Sequence, residues 1–278
     1  MGQIKLSNSF KSIVSELKKN QEAKQESWAT TFIADLYYSI EQDAIKHKKT
    51  PSKTFKPSSM KCCRNMQFQV MGVEPEEGIV NIGMIGILEN GTDRHLRIQN
   101  YIMSMKDNGI DCEYLKVGEY VKEQQSNGKL LDLEIIDDSG VECKLYNHKY
   151  NISFMCDGLI RYKGKLFILE IKTEASFKNA NRKEMAEEHL PQVCAYYLCF
   201  DIPDVMMLYE NRDTCEKKVY HKVVTHKEVF DNVIEKIEIV NSNIASGEIS
   251  EGTIGKHCNY CAYRTKCKKL GGCHYELR

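Results

Sequence analysis

The stretch Leu166-Phe167-Ile168-Leu169-Glu170-Ile171-Lys172 constrains the fold more than any other part of the chain. Its near-continuous apolar run reads as a strand covered on both faces. Glu170 and Lys172 stand two apart, so they share one face of that strand, where burying them without partners is costly. The preceding segment, from Phe154 to Tyr162, reads as a second strand, with a turn at Lys163-Gly164. Pairing Tyr162 with Lys165 across a two-residue loop brings Asp157 opposite Glu170, with Cβ atoms roughly 5 Å apart. Two carboxylates that close repel unless a cation lies between them, and Mg²⁺ or Mn²⁺ takes oxygen ligands of this kind. The expected chemistry is a metal held by Asp157 and Glu170 that acidifies a water and polarises a phosphate. Lys172 then orients that water or offsets transition-state charge. A surface hairpin with a cross-strand Glu–Lys pair is the plainer alternative.

The rest of the chain reads as a mixed α/β fold. Residues 1–50 are helical in pattern, with one apolar stripe at Phe10, Ile13, Val14 and Leu17. A second stripe runs through Trp28, Phe32, Ile33, Leu36, Tyr37 and Ile40; both are expected to pack on the core. The proline-bearing stretch Lys48 to Ser59 reads as a linker. A helix is expected from Arg94 to Lys106 and strands between 112 and 174. Beyond them come a helix over 181–200, strands near 205–209 and 217–224, and a helix from His226 to Ser246. The expected division is a helical extension over 1–57 and one domain over 58–278, with a Cys-rich tail at 255–273.

The chain has 278 residues with 39 Lys+Arg against 39 Asp+Glu, so any contact with nucleic acid must come from local clusters. With no signal-peptide pattern and no apolar run of membrane-spanning length, the chain reads as soluble and cytoplasmic, without a membrane partner. In that setting its twelve cysteines point to metal rather than disulfides. Cys62-Cys63 and the run Cys258, Cys261, Cys267, with Cys273 trailing, form two groups. Cys112, Cys143, Cys156, Cys194, Cys199 and Cys215 read as small buried hydrophobes. The thiolates suit zinc or an iron–sulfur centre.

Gln192 and Tyr196 lie four apart on one helix face, and His95 near a helix start could add a metal ligand. The ordered set His95, Asp157, Glu170-x-Lys172 and Gln192-x3-Tyr196 resembles the RecB-like branch of the PD-(D/E)xK nucleases. Cys258-x2-Cys261-x5-Cys267 is similar to the closing motif of its iron–sulfur members, the CRISPR-associated Cas-four exonucleases and the AddB nuclease domain. In those proteins a fourth cysteine lies upstream of the histidine, where this chain has Cys62-Cys63-Arg64. Either cysteine could serve, and Cys62 matches the family's Cys-x-Arg spacing. A Cys replaces the usual Pro, and Met155 stands where Gly is common.

The resemblance implies a restriction-endonuclease-like core, a central mixed sheet flanked by helices, closed by a structural 4Fe–4S cluster with zinc as the alternative. It implies catalytic roles for Asp157, Glu170, Lys172, Gln192 and Tyr196, with His95, Asp157 and Glu170 on the metal. The implied activity is a Mg²⁺- or Mn²⁺-dependent exonuclease acting on single-stranded DNA ends. The setting would be recombination or repair, CRISPR adaptation, or viral or plasmid DNA processing, with a helicase or recombination partner for unwinding. Lys178, Arg182, Lys183, Tyr260, Tyr263 and Arg264 are candidate DNA contacts. The competing readings are a weakly catalytic DNA-docking subunit with a nuclease fold, and a zinc-stapled structural protein.

Overall fold

In the computed structural model, which describes residues 28–46, 51–76 and 82–271, the strands sort into two sheets. A five-stranded mixed sheet runs in the order β1 (Cys112–Leu115), β5 (Gly158–Tyr162), β6 (Lys165–Glu174), β7 (Asp204–Asn211), β8 (Lys217–Val223), and only β6 and β7 are parallel. A smaller antiparallel sheet holds β2 (Leu133–Asp137), β3 (Lys144–Asn147) and β4 (Ile152–Met155).

The β5–β6 hairpin turns on Lys163 and Gly164, at φ 50° and 77°. Two positive φ angles in a two-residue loop match the right-handed twist of the flanking strands. The resulting register pairs Tyr162 with Lys165 and runs to Gly158 opposite Leu169. That is the register expected from the sequence, and Asp157 and Glu170 lie one step beyond its last pair.

The alternation of β6 divides the core. Phe167, Leu169 and Ile171 pack with Ile98 and Ile102 of the long helix Ile82–Asp107. Ile168 faces the larger core, together with Val193 and Ala195 of the helix Leu190–Phe200. Glu170 and Lys172 continue the Ile168 side of the strand, so they point toward that helix. It is buried nearly all round, Gln192 included, as a helix wedged between sheet and core must be. It belongs to the crossover of residues 175–203 that the parallel β6–β7 pair requires. The helical run after Thr225 opens with a capping box from Thr225 and Glu228 and passes through a π-helical turn at Phe230–Ile234 before Glu235–Ser246. These elements form the expected α/β architecture, a mixed central sheet with helices on both faces.

Several expectations are corrected. Helix Trp28–Lys46 forms, but its apolar stripe is not core: Trp28 and Phe32 are 91% and 68% exposed. Its neighbour is the long helix rather than the main sheet. The stripe at Phe10–Leu17 lies outside the described residues, as does Cys273. The described part of the expected linker, residues 51–59, is docked instead. Phe55 is buried and bridges Ile152 in parallel, donating its amide to Asn151 O at 2.8 Å. The helix expected from Arg94 starts at Ile82 and absorbs Gly83, Gly86 and Gly91. The helix expected over 181–200 is confined to Leu190–Phe200, after a 3-10 turn at Glu187–His189. Of the six isolated cysteines, Cys215 is only half-buried and sits at φ 60°. No described helix is long and apolar enough to cross a membrane.

Candidate active site

At the open end of the hairpin the backbone of β5 comes hard against Tyr114. A Cβ on Gly158 would stand 2.6 Å from the Tyr114 ring, so only glycine fits. The Tyr114 hydroxyl donates to Asp157 O at 2.7 Å, and Gln99 Nε2 donates to the same carbonyl at 2.7 Å. The Asp157 backbone is therefore held from β1 and from the long helix at once. Its carboxylate Oδ2 accepts the Ile171 amide at 2.5 Å, and Oδ1 lies 3.1 Å from His95 Nδ1.

Glu170 is 2% exposed. Its Oε1 accepts from Lys172 Nζ and, at 2.6 Å, from Gln192 Nε2. Its Oε2 is buried with no hydrogen-bond partner among the described residues. Gln192 Oε1 accepts Lys172 Nζ at 3.1 Å. Gln192 Nε2 also donates to Tyr196 Oη at 2.8 Å, and Tyr196 donates onward to Met155 O at 3.0 Å. Gln192 thus fixes both charged groups, and Tyr196 anchors Gln192 to the end of β4.

The electrostatics follow from burial and crowding. Burial, then the Asp157 charge, pushes the Glu170 carboxyl up to about 7 against the opposing pull of Lys172. Burial opposes the charged form of Lys172, but Glu170 and Asp157 outweigh it and raise its pKa. His95 behaves likewise: burial lowers it, yet the Asp157 and Glu142 carboxylates carry it up to about 10.

The PD-(D/E)XK nuclease superfamily matches residues 103–268, more than half of the chain. The chain belongs to the PD-(D/E)XK nuclease superfamily. The match spans Asp157, Glu170 and Lys172 and leaves His95 and Cys62 outside it. Membership brings the expectation of metal-dependent nuclease action on DNA. A solved structure titled "Crystal structure of SSO0001" aligns at a TM-score of 0.47 with 16% identity, over 86% of this chain and 97% of that one. No curated protein matches.

For a PD-(D/E)XK nuclease, the divalent ion must fit the residues present, and the donor set does. Ligand atoms of His95, Glu142 and Asp157 lie within 4.8 Å of one another, and the orphaned Glu170 Oε2 is an acceptor without a donor. The structure brings together His95, Asp157, Glu170, Lys172, Gln192 and Tyr196. It adds Glu142, which no motif flagged. Glu142 lies in the loop before β3, 3.8 Å from His95 Nδ1 and 3.4 Å from Gln99 Nε2. Its one sequence signal is a carboxylate just ahead of the β3–β4 hairpin, whose second strand leads into Asp157.

The cysteines form a separate site. Cys62, Cys258, Cys261 and Cys267 line one small cavity; Cys63 is not among its residues. The amide of Thr253 donates to Cys62 Sγ at 3.3 Å, Asn65 Nδ2 to Cys261 Sγ at 3.5 Å, and Arg64 Nη1 to Cys267 Sγ at 3.3 Å. N–H donors aimed at sulfur suit thiolate ligands. The Cys63 thiol neighbours Lys236 and is pushed up by burial. Among the suggested DNA contacts, Arg182 clamps Glu174 and stacks over Tyr209 at 4.1 Å. Tyr263 is buried against Phe68, while Lys178 and Tyr260 are open to solvent.

Proposed function

We propose that the chain is a Mg²⁺- or Mn²⁺-dependent DNA exonuclease of the RecB-like iron–sulfur branch, acting at single-stranded ends. One observation carries the catalytic reading. Each carboxylate has one oxygen committed to the protein, Asp157 Oδ2 to Ile171 N and Glu170 Oε1 to Lys172 and Gln192. The other oxygen, Asp157 Oδ1 or Glu170 Oε2, meets only His95 or nothing. Paired oxygens left over in a buried site call for a cation.

His95, Glu142, Asp157 and Glu170 would hold that cation, which supplies Lewis acidity at the scissile phosphodiester when bound. The chain's own residues do the rest. Lys172, oriented by Gln192, presents a fixed positive charge on the same strand face as Glu170 and offsets charge that develops on the phosphate. Tyr196 and Met155 O hold Gln192, so the ammonium needs no rearrangement during the reaction.

The four cysteines fit a 4Fe–4S cluster better than zinc. The preference rests on the resemblance of Cys258-x2-Cys261-x5-Cys267, with Cys62 upstream, to the cysteine pattern of the iron–sulfur members. A cluster there ties the segment after Phe55 to the C-terminal tail, a structural role. The intact Glu170–Lys172–Gln192 network favours catalysis over a docking-only role, because a silent site gains nothing from a buried charge pair.

The test is degradation of end-labelled linear and of circular single-stranded DNA with Mg²⁺, Mn²⁺ or excess chelator. Linear strands should be consumed only with metal, and circles should resist. Cleavage in chelator would overturn the metal centre, and equal loss of circles would overturn the exonuclease assignment.

A further inference from the structure

An open groove of about 1030 Å³ lies between the segment Ser58–Asn65, the stretch from Phe177 to Glu188, and the turn Lys256–Tyr260 with Cys261. It is distinct from the carboxylate centre, and the nuclease assignment does not account for it. Two large aromatic side chains line it, and both are out in solvent: Phe177 is 68% and Tyr260 78% exposed. Lys61, Lys178 and Lys256 line it too, and their ammonium groups make no salt bridge or hydrogen bond among the described residues, although Lys61 is drawn toward the Glu188 charge. Glu187 and Glu188 also reach the groove, while Arg182 is committed to Glu174.

The groove leads to the reaction centre. Arg182, on its lining, stacks on Tyr209, and Tyr209 is the β7 partner of Lys172. Ala186 donates its amide to the Tyr209 hydroxyl at 3.0 Å. From there the chain runs through the Glu187–His189 turn directly into the helix that carries Gln192. The local field is positive: after burial, Lys172, Lys61, Arg182 and Lys178 all push the His189 pKa down.

Lysines beside exposed aromatic faces are the combination that binds a single strand, phosphates on the ammonium groups and bases on the rings. A duplex keeps its base faces stacked inside and has nothing to offer the rings. We propose that this groove seats one nucleic-acid strand on its way to Asp157 and Glu170, with bases stacked on Phe177 and Tyr260 and phosphates held by Lys61, Lys178 and Lys256. The proposal rests on the nuclease reading and deepens it, because it names the groove and the residues that would seat the unpaired strand.

The test is fluorescence anisotropy of a labelled oligothymidylate and of a blunt duplex of equal length. The full chain, purified with its iron, is used in chelator so that metal-dependent cleavage does not intervene. Phe177→Ala and Tyr260→Ala should each weaken strand binding about tenfold, and the double variant roughly a hundredfold. Duplex binding should not change, and Phe177→Tyr with Tyr260→Phe should restore the strand. Iron content and melting temperature report any loss of fold. If either falls, Lys178→Ala gives an independent reading: weaker strand binding with a shallower salt dependence. Wild-type strand affinity in the double variant overturns the groove, as does equal loss of strand and duplex. Wild-type protein that never cleaves DNA, alongside variants that lose the strand, would sink the nuclease reading and leave the groove standing.

Discussion

Asp157 reaches across the hairpin and accepts at 2.5 Å the amide of Ile171, the residue between Glu170 and Lys172. That bond places the Asp157 carboxylate against the strand end that carries Glu170 and Lys172. It also uses up Oδ2, so Oδ1 is left toward His95 and Glu142. Asp157 is held by a backbone amide and Glu170 by Lys172 and Gln192, so both carboxylates are fixed in advance, which is how a site avoids reorganising during reaction.

Substituting the pair should therefore separate metal binding from the fold. Glu170→Gln and Asp157→Asn should cut cleavage by roughly 100- to 1,000-fold or more. They should also abolish the thermal stabilisation that Mn²⁺ gives the wild type, about 2.7 kcal/mol at a concentration a hundredfold above Kd. Lys172→Ala should lose activity to a similar degree and keep the Mn²⁺ shift, since its ammonium is not a ligand. Turnover near wild type in Lys172→Ala would contradict the role given to that ammonium.

Much of this arrangement was legible in the residues themselves. A strand repeats every two residues, and a Lys-Gly turn admits a two-residue loop, so the Tyr162–Lys165 pairing and the shared face of Glu170 and Lys172 follow locally. The Gln192–Tyr196 spacing likewise needs only helical geometry. What was not legible depends on contacts between distant segments. Glu142 reaches His95 from a loop of the other sheet, and Phe55 docks on Ile152 from a stretch that reads as linker. The Trp28–Lys46 stripe shows the opposite failure: a helical apolar pattern says that a face exists, and the structure leaves Trp28 and Phe32 uncovered.

The upstream cluster ligand can be decided by single substitutions. Cys62 shares a cavity with Cys258, Cys261 and Cys267, whereas the Cys63 thiol neighbours Lys236. Anaerobically purified Cys62→Ser and Cys261→Ser should lose iron and visible absorption and melt lower, because the proposed cluster would hold the tail after Gly255 by ligation. Cys63→Ser should stay brown. The reverse pattern in the Cys62 and Cys63 variants would exchange the two assignments, and equimolar zinc without iron would replace the cluster.

Acid should cost stability through His189. Burial first, then Lys172, Lys61, Arg182 and Lys178, lower its folded pKa to about 3, against about 6.5 in an unfolded chain. Between those values the unfolded chain binds a proton that the folded one refuses. The stability is therefore complete above about pH 6.5 and declines as pH falls toward 3, by up to about 1.4 kcal/mol per pH unit. His189→Gln removes that difference. Melting temperatures at pH 7.5 and 5.5 should fall further for the wild type than for the variant, and equal falls would show that His189 does not titrate as its surroundings require.

Gly158→Ala tests whether the site depends on the close approach of two strands. The added methyl would stand 2.6 Å from the Tyr114 ring and 2.7 Å from its hydroxyl, inside any normal contact. Tyr114 must then move, and with it goes the hydrogen bond to Asp157 O at 2.7 Å. Overpacking of this kind costs about 1–3 kcal/mol, and the φ of 159° at Gly158 adds strain for an L residue. Melting temperature and cleavage should therefore fall together in Gly158→Ala. Tyr114→Phe keeps the ring and removes only the hydroxyl, so it should keep most of the stability and lose activity more modestly, with Gln99 still holding Asp157 O. Gly158→Ala with unchanged melting and cleavage would mean that the strand end can open at no cost, and that the Ile171 amide and Gln99 set the position of Asp157 without Tyr114.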